Sequence, residues 1–157
     1  MRKRIITRGT QDVIPPDQNW LDLENLAEAE LTSEDASHPI ESALKPSGGP
    51  GWRASEAGQQ IVRLLFEKPL RVRRIRLVFQ EDEQDRTHEF LLRWSSDGGQ
   101  SYREIVRQQY NFSSPHNTLE IEDYAVDLVG LTSLELSIVP DISGGHACAS
   151  VAQLCLA

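Results

Sequence analysis

The chain has 157 residues, the length of about one domain, and this is enough for a core that buries roughly two-thirds of the unfolded chain's surface without disulfide support. Its formal net charge of -8 disfavours a nucleic acid as the partner, because counterion release requires clustered lysine and arginine. No segment has the roughly twenty consecutive apolar residues that a membrane-spanning helix needs, so the composition excludes such a helix.

The start of the chain and the two cysteines suggest where the protein is located. Residues 1–4 are basic, like the start of a signal peptide, but the two isoleucines that follow lead into polar residues instead of an apolar export segment. Cys148 and Cys155 fall in one predicted strand, where the strand rise places them about 23 Å apart, beyond disulfide reach. We therefore expect free thiols and a cytoplasmic protein.

The first 50 residues contain an arm and the first elements of one domain. Residues 1–19 include Pro15 and Pro16 and show little hydrophobic pattern, which predicts an N-terminal arm, and one domain is expected to follow over residues 20–157. Residues 20–31 fit a helix or a turn followed by a strand, and the alternation from Leu26 favours the strand for the second half. Pro39 predicts one helical turn that reaches Leu44.

Residues 51–79 organise the predicted fold. Trp52 stands at the start of a loop, and two runs of strand pattern follow at 60–66 and 70–80 with only residues 67–69 between them. The first run has apolar residues on both faces, which predicts a central strand, whereas the second run has one polar face. A shift of one residue would bury the arginines of the second run, so its register should be strongly specified.

The rest of the chain shows further short strands separated by turns. Residues 95–99 predict a hairpin turn, and residues 125–130 are expected to form a connection. The predicted strands cover residues 89–94, 101–112, 118–121, 131–139 and 149–156. Many short strands with almost no helix predict an all-β protein, an antiparallel jelly-roll β-sandwich with one or two short helical turns.

Several short motifs, taken in their order along the chain, resemble a known superfamily. They read PIESAL at 39–44, GWRAS at 51–55, QIVRLLF at 60–66, SSDGG at 95–99 and ASVAQL at 149–154. Together they resemble the galactose-binding-domain-like superfamily, which includes discoidin domains, the C-type domains of coagulation factors and bacterial carbohydrate-binding modules. The GWRA stretch is also similar to the N-terminal domain of a scaffold protein of DNA strand-break repair, which has this fold and binds a protein. The resemblance implies a β-sandwich whose ligands meet loops at one end.

The sequence departs from the superfamily at its calcium site. Many members hold the ion near an Ala-Leu-Asp-Gly-Asp motif and a glutamate in the final strand. This chain has Lys45 and Pro46 after the Ala-Leu pair, and it has Gln153 in place of the glutamate. A lysine ammonium repels a cation and an amide is a weaker ligand than a carboxylate, so we predict that this site is absent.

Candidate ligand-binding residues lie in or beside the predicted loops. Trp52 either stacks on a sugar ring or fills the core below its loop, and the area of an indole favours the core. The Arg53 guanidinium either donates hydrogen bonds to a ligand or donates them to backbone carbonyls and so holds the loop in place. Tyr110, Asn111 and His116 lie near the end of the strand at 101–112 and in the loop after it. Their ring, amide and imidazole groups either bind the hydroxyls of a polyol, or they are ordinary turn and core residues. The full set is Trp52, Arg53, Arg86, His88, Tyr110, Asn111 and His116.

Catalytic motifs are missing from the sequence. The four histidines show no i, i+4 spacing, and neither a phosphate loop nor a nucleophile elbow is present. We therefore expect a noncatalytic module without metal or cofactor that binds a carbohydrate or similar polar ligand. The alternative is an intracellular protein-interaction module, as an adaptor or a homo-oligomer subunit, that uses the arm and Arg71, Arg73, Arg74 and Arg76. A third hypothesis, binding of single-stranded or nicked DNA, follows only from the similarity to the repair scaffold.

Overall fold

The computed structural model describes residues 19–157, which form eight strands and two one-turn helices. In chain order these are α1 Leu23–Leu26, β1 Ala27–Leu31, α2 Glu41–Leu44, β2 Trp52–Ala57, β3 Gln60–Gln80, β4 Arg86–Ser95, β5 Arg103–Phe112, β6 Leu119–Val139, β7 Cys148–Val151 and β8 Gln153–Leu156. The predicted strand that ends at Leu31 and the predicted helical turn that ends at Leu44 are confirmed. The predicted arm, apart from Asn19, lies outside the described residues. No helix in the described part is long and apolar enough to cross a membrane.

Two strands of 21 residues each, β3 and β6, run through both layers of the structure. They pair antiparallel from Gln60 opposite Ile138 to Gln80 opposite Leu119. The first half of β3 lies in the layer β1-β3-β6-β4-β5, and its second half lies between the first half of β6 and β8. The second layer faces the first, as the stacked rings of Phe79 and Phe90 show with centroids 5.0 Å apart. The predicted antiparallel β-sandwich is therefore confirmed.

The prediction of two separate strands at 60–66 and 70–80 is wrong, because β3 continues through residues 67–69. The pairing with β6 shifts register between Leu65 and Leu70, so the extra residues bulge outward without ending the strand. The predicted connection at 125–130 is also wrong, since it lies within β6. The inner face of this segment carries Val126 and Leu128, but Ala125 and Val129 on the outer face are apolar too, so the segment lacks the apolar-polar alternation that reveals a strand.

The predicted last strand, 149–156, is two strands. β7 pairs with β2 in a small separate sheet, whereas β8 pairs with β3, and Ala152 lies between them. Cys148 and Cys155 are therefore on different strands and not on one, and both thiols are free. Burial raises the pKa of the Cys155 thiol to about 11, so this side chain stays protonated and packs as a small apolar group.

The core fills the space between the two layers with alternating residues of β3, β4, β6 and β8. Every second residue of β3 from Val62 to Phe66 is buried, and the same holds from Ile75 to Phe79. The largest fully buried side chains include Trp52, Phe79, Phe90, Phe112, Leu64, Ile75, Leu77, Leu92, Leu134 and Leu136. This packing fixes the register predicted for the second half of β3, with its arginines on the outer face.

A row of alternating charges crosses the outer face of the first layer. The register places Glu30, Arg63, Glu135, Arg93 and Glu104 side by side on β1, β3, β6, β4 and β5. The Glu135 carboxylate is buried and accepts from Arg63 Nε at 2.8 Å and from Arg93 Nε at 3.0 Å. Burial acts to raise the pKa of Glu135, but the bonds from the two arginines outweigh burial and lower this pKa. We call these five residues the charge row.

Candidate functional site

A polar cleft of about 190 Å³ opens at one end of the sandwich, where several strands begin or end. It lies between the loop after β1, the start of β2, the end of β3 and the turn between β7 and β8. The lining residues are His38, Gly49, Pro50, Trp52, Arg53, Gln80, Asp82, Ser150, Val151 and Ala152. This volume is below the roughly 300–1,000 Å³ of sites for drug-sized ligands, so the cleft suits a single small ring.

The close approach of two backbones forms the base of this cleft. Gly51 has a φ of +78°, and a Cβ on it would lie only 2.7 Å from the Val151 carbonyl oxygen. Only glycine therefore lets the segment before β2 approach the β7-β8 turn. The Ala152 N–H donates to the Val78 oxygen at 2.8 Å, and Gln153 Nε2 donates to the Pro46 oxygen at 3.0 Å.

Gln153 thus ties the 45–51 loop to β8 at the position where the superfamily resemblance placed a calcium-binding glutamate. Its amide donates to backbone carbonyls, a contact that a carboxylate could not make. Among residues 19–157 no cluster of three or more histidine, cysteine, aspartate or glutamate side chains could hold a metal ion.

Trp52 and Arg53 are neighbours in β2 and point in opposite directions, as successive residues of a strand do. The Trp52 side chain is only 1% exposed, and its Nε1 donates to the Ser33 oxygen at 3.2 Å. Trp52 therefore fills the core below the cleft and offers no open ring face. The Arg53 side chain is exposed at the cleft wall, and no described residue accepts a hydrogen bond from its guanidinium.

Backbone hydrogen bonds hold His38 beside Arg53. Arg53 N–H donates to the His38 oxygen at 3.1 Å, and the Asp35 N–H donates to the Arg53 oxygen at 2.8 Å. The His38 Nδ1 lies 3.5 Å from Asp35 Oδ2 and 3.2 Å from the Ser37 hydroxyl. Donation from the Ser37 N–H and hydroxyl lowers the pKa of Asp35, so this carboxylate stays charged next to the imidazole.

The end of β3 contributes the other polar groups of the cleft. Gln80 Nε2 lies 3.2 Å from Asp82 Oδ2, which orients both side chains. Ser150 lies directly opposite Arg53 in the β2-β7 pair and adds a hydroxyl. The cleft therefore combines the Arg53 guanidinium and the His38 imidazole on one side with the Gln80 amide, the Asp82 carboxylate and the Ser150 hydroxyl on the other. Such groups bind hydroxyls and carboxylates of a small polar molecule.

Arg86 and His88 are buried between the layers and do not line the cleft. Arg86 is 6% exposed, donates from Nε to Glu81 Oε1 at 2.8 Å and from Nη1 to the Pro140 oxygen at 2.9 Å, and covers the Phe112 ring. His88 is 1% exposed, and its Nε2 lies 2.7 Å from Glu120 Oε1. Both side chains satisfy buried polar groups in this structure.

The remaining predicted residues lie at the end of β5 and in the loop after it, outside the cleft. The Tyr110 hydroxyl donates to the Leu119 oxygen at 3.1 Å, and the Asn111 side chain accepts from Thr87 at 3.0 Å. His116 is exposed in the 113–118 loop. This loop borders the 81–85 loop, since the Ser114 N–H donates to Asp85 at 2.9 Å. Of the seven predicted residues, only Trp52 and Arg53 line the cleft. Another four lie close together on the paired strands β4 and β5, namely Arg86, His88, Tyr110 and Asn111, with His88 directly opposite Tyr110.

His88 belongs to a buried polar network between the layers. Gln108 Nε2 lies 3.5 Å from Glu120 Oε2, and the Tyr124 hydroxyl lies 2.7 Å from Gln108 Oε1 and 3.2 Å from Glu122 Oε2. Burial and the neighbouring Glu120 carboxylate raise the pKa of Glu122. Two carboxyl groups therefore share this space, and ionisation of Glu122 is less favourable here than at an exposed position.

We expect Glu122→Gln to stabilise the protein at about pH 8 more than at about pH 4. Because the pKa of Glu122 is raised in the native state, that state loses stability as the pH rises through the raised pKa, and glutamine removes this ionisation. Urea unfolding at both pH values measures the gain. Glu28→Gln, at an exposed position of β1, is the control. Equal gains in both variants would contradict the expectation.

The structure is similar to solved structures at low sequence identity. The family 32 carbohydrate-binding module of C. perfringens NanJ in complex with galactose has a TM-score of 0.63 and 15% identity, over 87% of this chain and 96% of that chain. CpGH89CBM32-5 from Clostridium perfringens, in complex with GalNAc-β-1,3-galactose, has a TM-score of 0.64 and 17% identity, over 87% and 98%. Reduced XRCC1 bound to the DNA pol beta catalytic domain has a TM-score of 0.56 and 18% identity, over 82% and 92%.

No protein-family model and no curated protein sequence matches the chain. The structural similarity covers more than four-fifths of this chain and almost all of each module, so it concerns the whole domain. The chain therefore has the galactose-binding-domain-like, discoidin-type fold of the family 32 modules, as the order of its short motifs predicted.

Proposed function

We propose that this protein is a noncatalytic carbohydrate-binding module that holds a small saccharide in the cleft beside Arg53. The observation that carries the proposal is the cleft itself, in which Arg53, His38, Gln80 and Asp82 present donors and acceptors around a space for about one ring. Modules of the same fold are found in complex with galactose and with GalNAc-β-1,3-galactose, which supports this ligand class. The cleft lacks a nucleophile paired with a base, so binding is its proposed role.

A saccharide array followed by titration calorimetry tests this function. We expect at least one saccharide to bind and Arg53→Ala to weaken that binding at least tenfold, because hydrogen bonds from a charged donor are worth about 1.5–3 kcal/mol. Arg103→Ala is the matched control, since Arg103 is an exposed arginine of β5 that covers the Trp94 ring, far from the cleft in the fold. Binding that is unchanged in Arg53→Ala, or lost equally in Arg103→Ala, would contradict the proposal.

A protein partner is the second candidate function, favoured by apolar residues on β6. Leu119 and Ile121 are 46% and 48% exposed on the outer face of its first half, where β6 is an edge strand. The fold neighbour XRCC1 is bound to a protein, the DNA pol beta catalytic domain. Two of the four arginines proposed for this surface already pair with β6, Arg71 with Asp127 at 3.0 Å and Arg74 with Asp123 at 3.1 Å.

Affinity capture from the native cell tests the second candidate. A stoichiometric partner that is lost in the double variant Leu119→Asp/Ile121→Asp, while saccharide binding is retained, would support it. Removal of residues 1–19 tests the proposed contribution of the arm in the same assay. If the double variant captures the same partner as the parent protein, the exposed apolar residues of β6 do not form the binding surface.

A further inference from the structure

We propose that the ligand of the cleft is an acidic sugar, such as a hexuronic acid residue, whose carboxylate binds to Arg53. This inference rests on the proposed carbohydrate-binding function and names the class of saccharide. It follows from the Arg53 guanidinium in the cleft wall, which has no carboxylate partner among the described residues, from the absence of an open aromatic face and from the size of the cleft.

Arg53 differs from most arginines of the protein in its surroundings. In the described part of the chain, a carboxylate lies within 4 Å of six arginines, namely Arg63, Arg71, Arg74, Arg86, Arg93 and Arg107. No described carboxylate lies within that distance of Arg53, although the protein carries a formal net charge of -8. Of the arginines without such a pair, Arg53 is the one that lines the cleft.

The geometry around Arg53 favours a carboxylate over a lone hydroxyl. A guanidinium presents a planar fork that matches two carboxylate oxygens, and such charge-assisted pairs are about twice as strong as neutral hydrogen bonds. Both backbone groups of Arg53 are held, through His38 and Asp35, so the base of the side chain is fixed. The His38 ring lies beside it and adds a second nitrogen donor to the same side of the cleft.

The rest of the cleft fits the remainder of a sugar acid. Gln80, Asp82 and Ser150 offer two amide or carboxylate acceptors and a hydroxyl for ring hydroxyls. Trp52 is the aromatic residue of the lining, and its ring is buried, so the stacking that holds many neutral sugars is missing here. Affinity must therefore come from charge and hydrogen bonds, and a ligand with one carboxylate and several hydroxyls uses both sides of the cleft.

Titration of the protein with galacturonic acid, glucuronic acid, galactose and glucose, each as its methyl glycoside, tests this inference. We expect at least one acidic sugar to bind at least tenfold more tightly than the neutral sugar of the same stereochemistry. We expect this difference to shrink when NaCl is raised from about 50 mM to about 500 mM, because salt screens exposed charges. Arg53→Gln should abolish the difference, Arg53→Lys should keep part of it, and Arg103→Gln should leave it unchanged.

The outcomes separate the inference from the proposed function. Equal binding of acidic and neutral sugars, or tighter binding of the neutral ones, would overturn the acidic-sugar inference and leave the carbohydrate-binding function in place. Failure of every saccharide on the array and in titration would overturn both. Circular dichroism and a urea midpoint equal to that of the parent confirm that each Arg53 variant is folded.

Discussion

Replacing Trp52 with alanine should lower the free energy of unfolding by ~3–5 kcal/mol, the usual cost of removing a large aromatic side chain from a core. The indole is almost completely buried below the cleft, and β2 cannot close around the cavity because Trp52 pairs directly with Val151 of β7. A loss of this size is a large part of the roughly 5–15 kcal/mol that stabilises a typical domain. Urea unfolding followed by circular dichroism measures it.

Trp52→Phe separates filling of the core from the hydrogen bond. Phenylalanine keeps most of the apolar area but removes the donor that reaches the Ser33 oxygen, so its cost should be smaller, about 1–3 kcal/mol. Both variants should leave the sheet content of the folded state unchanged. A loss below about 1 kcal/mol in Trp52→Ala would show that the indole is not a core residue.

Replacing Arg86 with methionine should destabilise the protein by ~3–5 kcal/mol, which is the usual cost of removing one partner of a buried ion pair. Methionine fills a similar volume but leaves the Glu81 carboxylate and the Pro140 carbonyl without the donor they now share. The effect should be large because both side chains of the pair are almost fully shielded from water. Urea midpoints of the parent and the variant measure it.

A second substitution distinguishes the ion pair from lost packing. In Arg86→Met/Glu81→Gln the unpaired charge is gone, so part of the lost stability should return, and the double-mutant cycle gives the coupling between the two residues. The double variant should also bind saccharide as the parent does, because Arg86 does not line the cleft. A double variant as unstable as the sum of its single variants, or one that no longer binds, would contradict this.

The strand patterns predicted much of the fold because they are local. Alternation along 60–66, 70–80 and 89–94 depends only on residues two apart, and a facing core makes one register best. The order of short motifs then predicted the discoidin-type fold. The continuity of β3 was missed because the exposed 67–69 bulge interrupts the alternation. The continuity of β6 was missed because residues 125–130 have apolar side chains on both faces.

The same alternation contains a signal for the burial of Arg86 and His88. Leu92 and Phe90 lie on the inner face of β4, and steps of two residues back from Phe90 lead to His88 and then to Arg86. Both side chains therefore continue the inner face. Their place after a run of charged residues suggested a loop instead. The other side chains of the cleft could not be found this way, because His38, Gln80 and Asp82 approach Arg53 only through pairing of distant strands.

The charge row has a consequence for how copies of this protein meet. A sheet of five strands has two unpaired edges, and exposed edges are templates for aggregation. The row ends in a carboxylate at both edges, Glu30 on β1 and Glu104 on β5, while its arginines are held by the inner strands. Two molecules whose edges meet at this row therefore bring like charges together, and this repulsion opposes pairing of their edge strands.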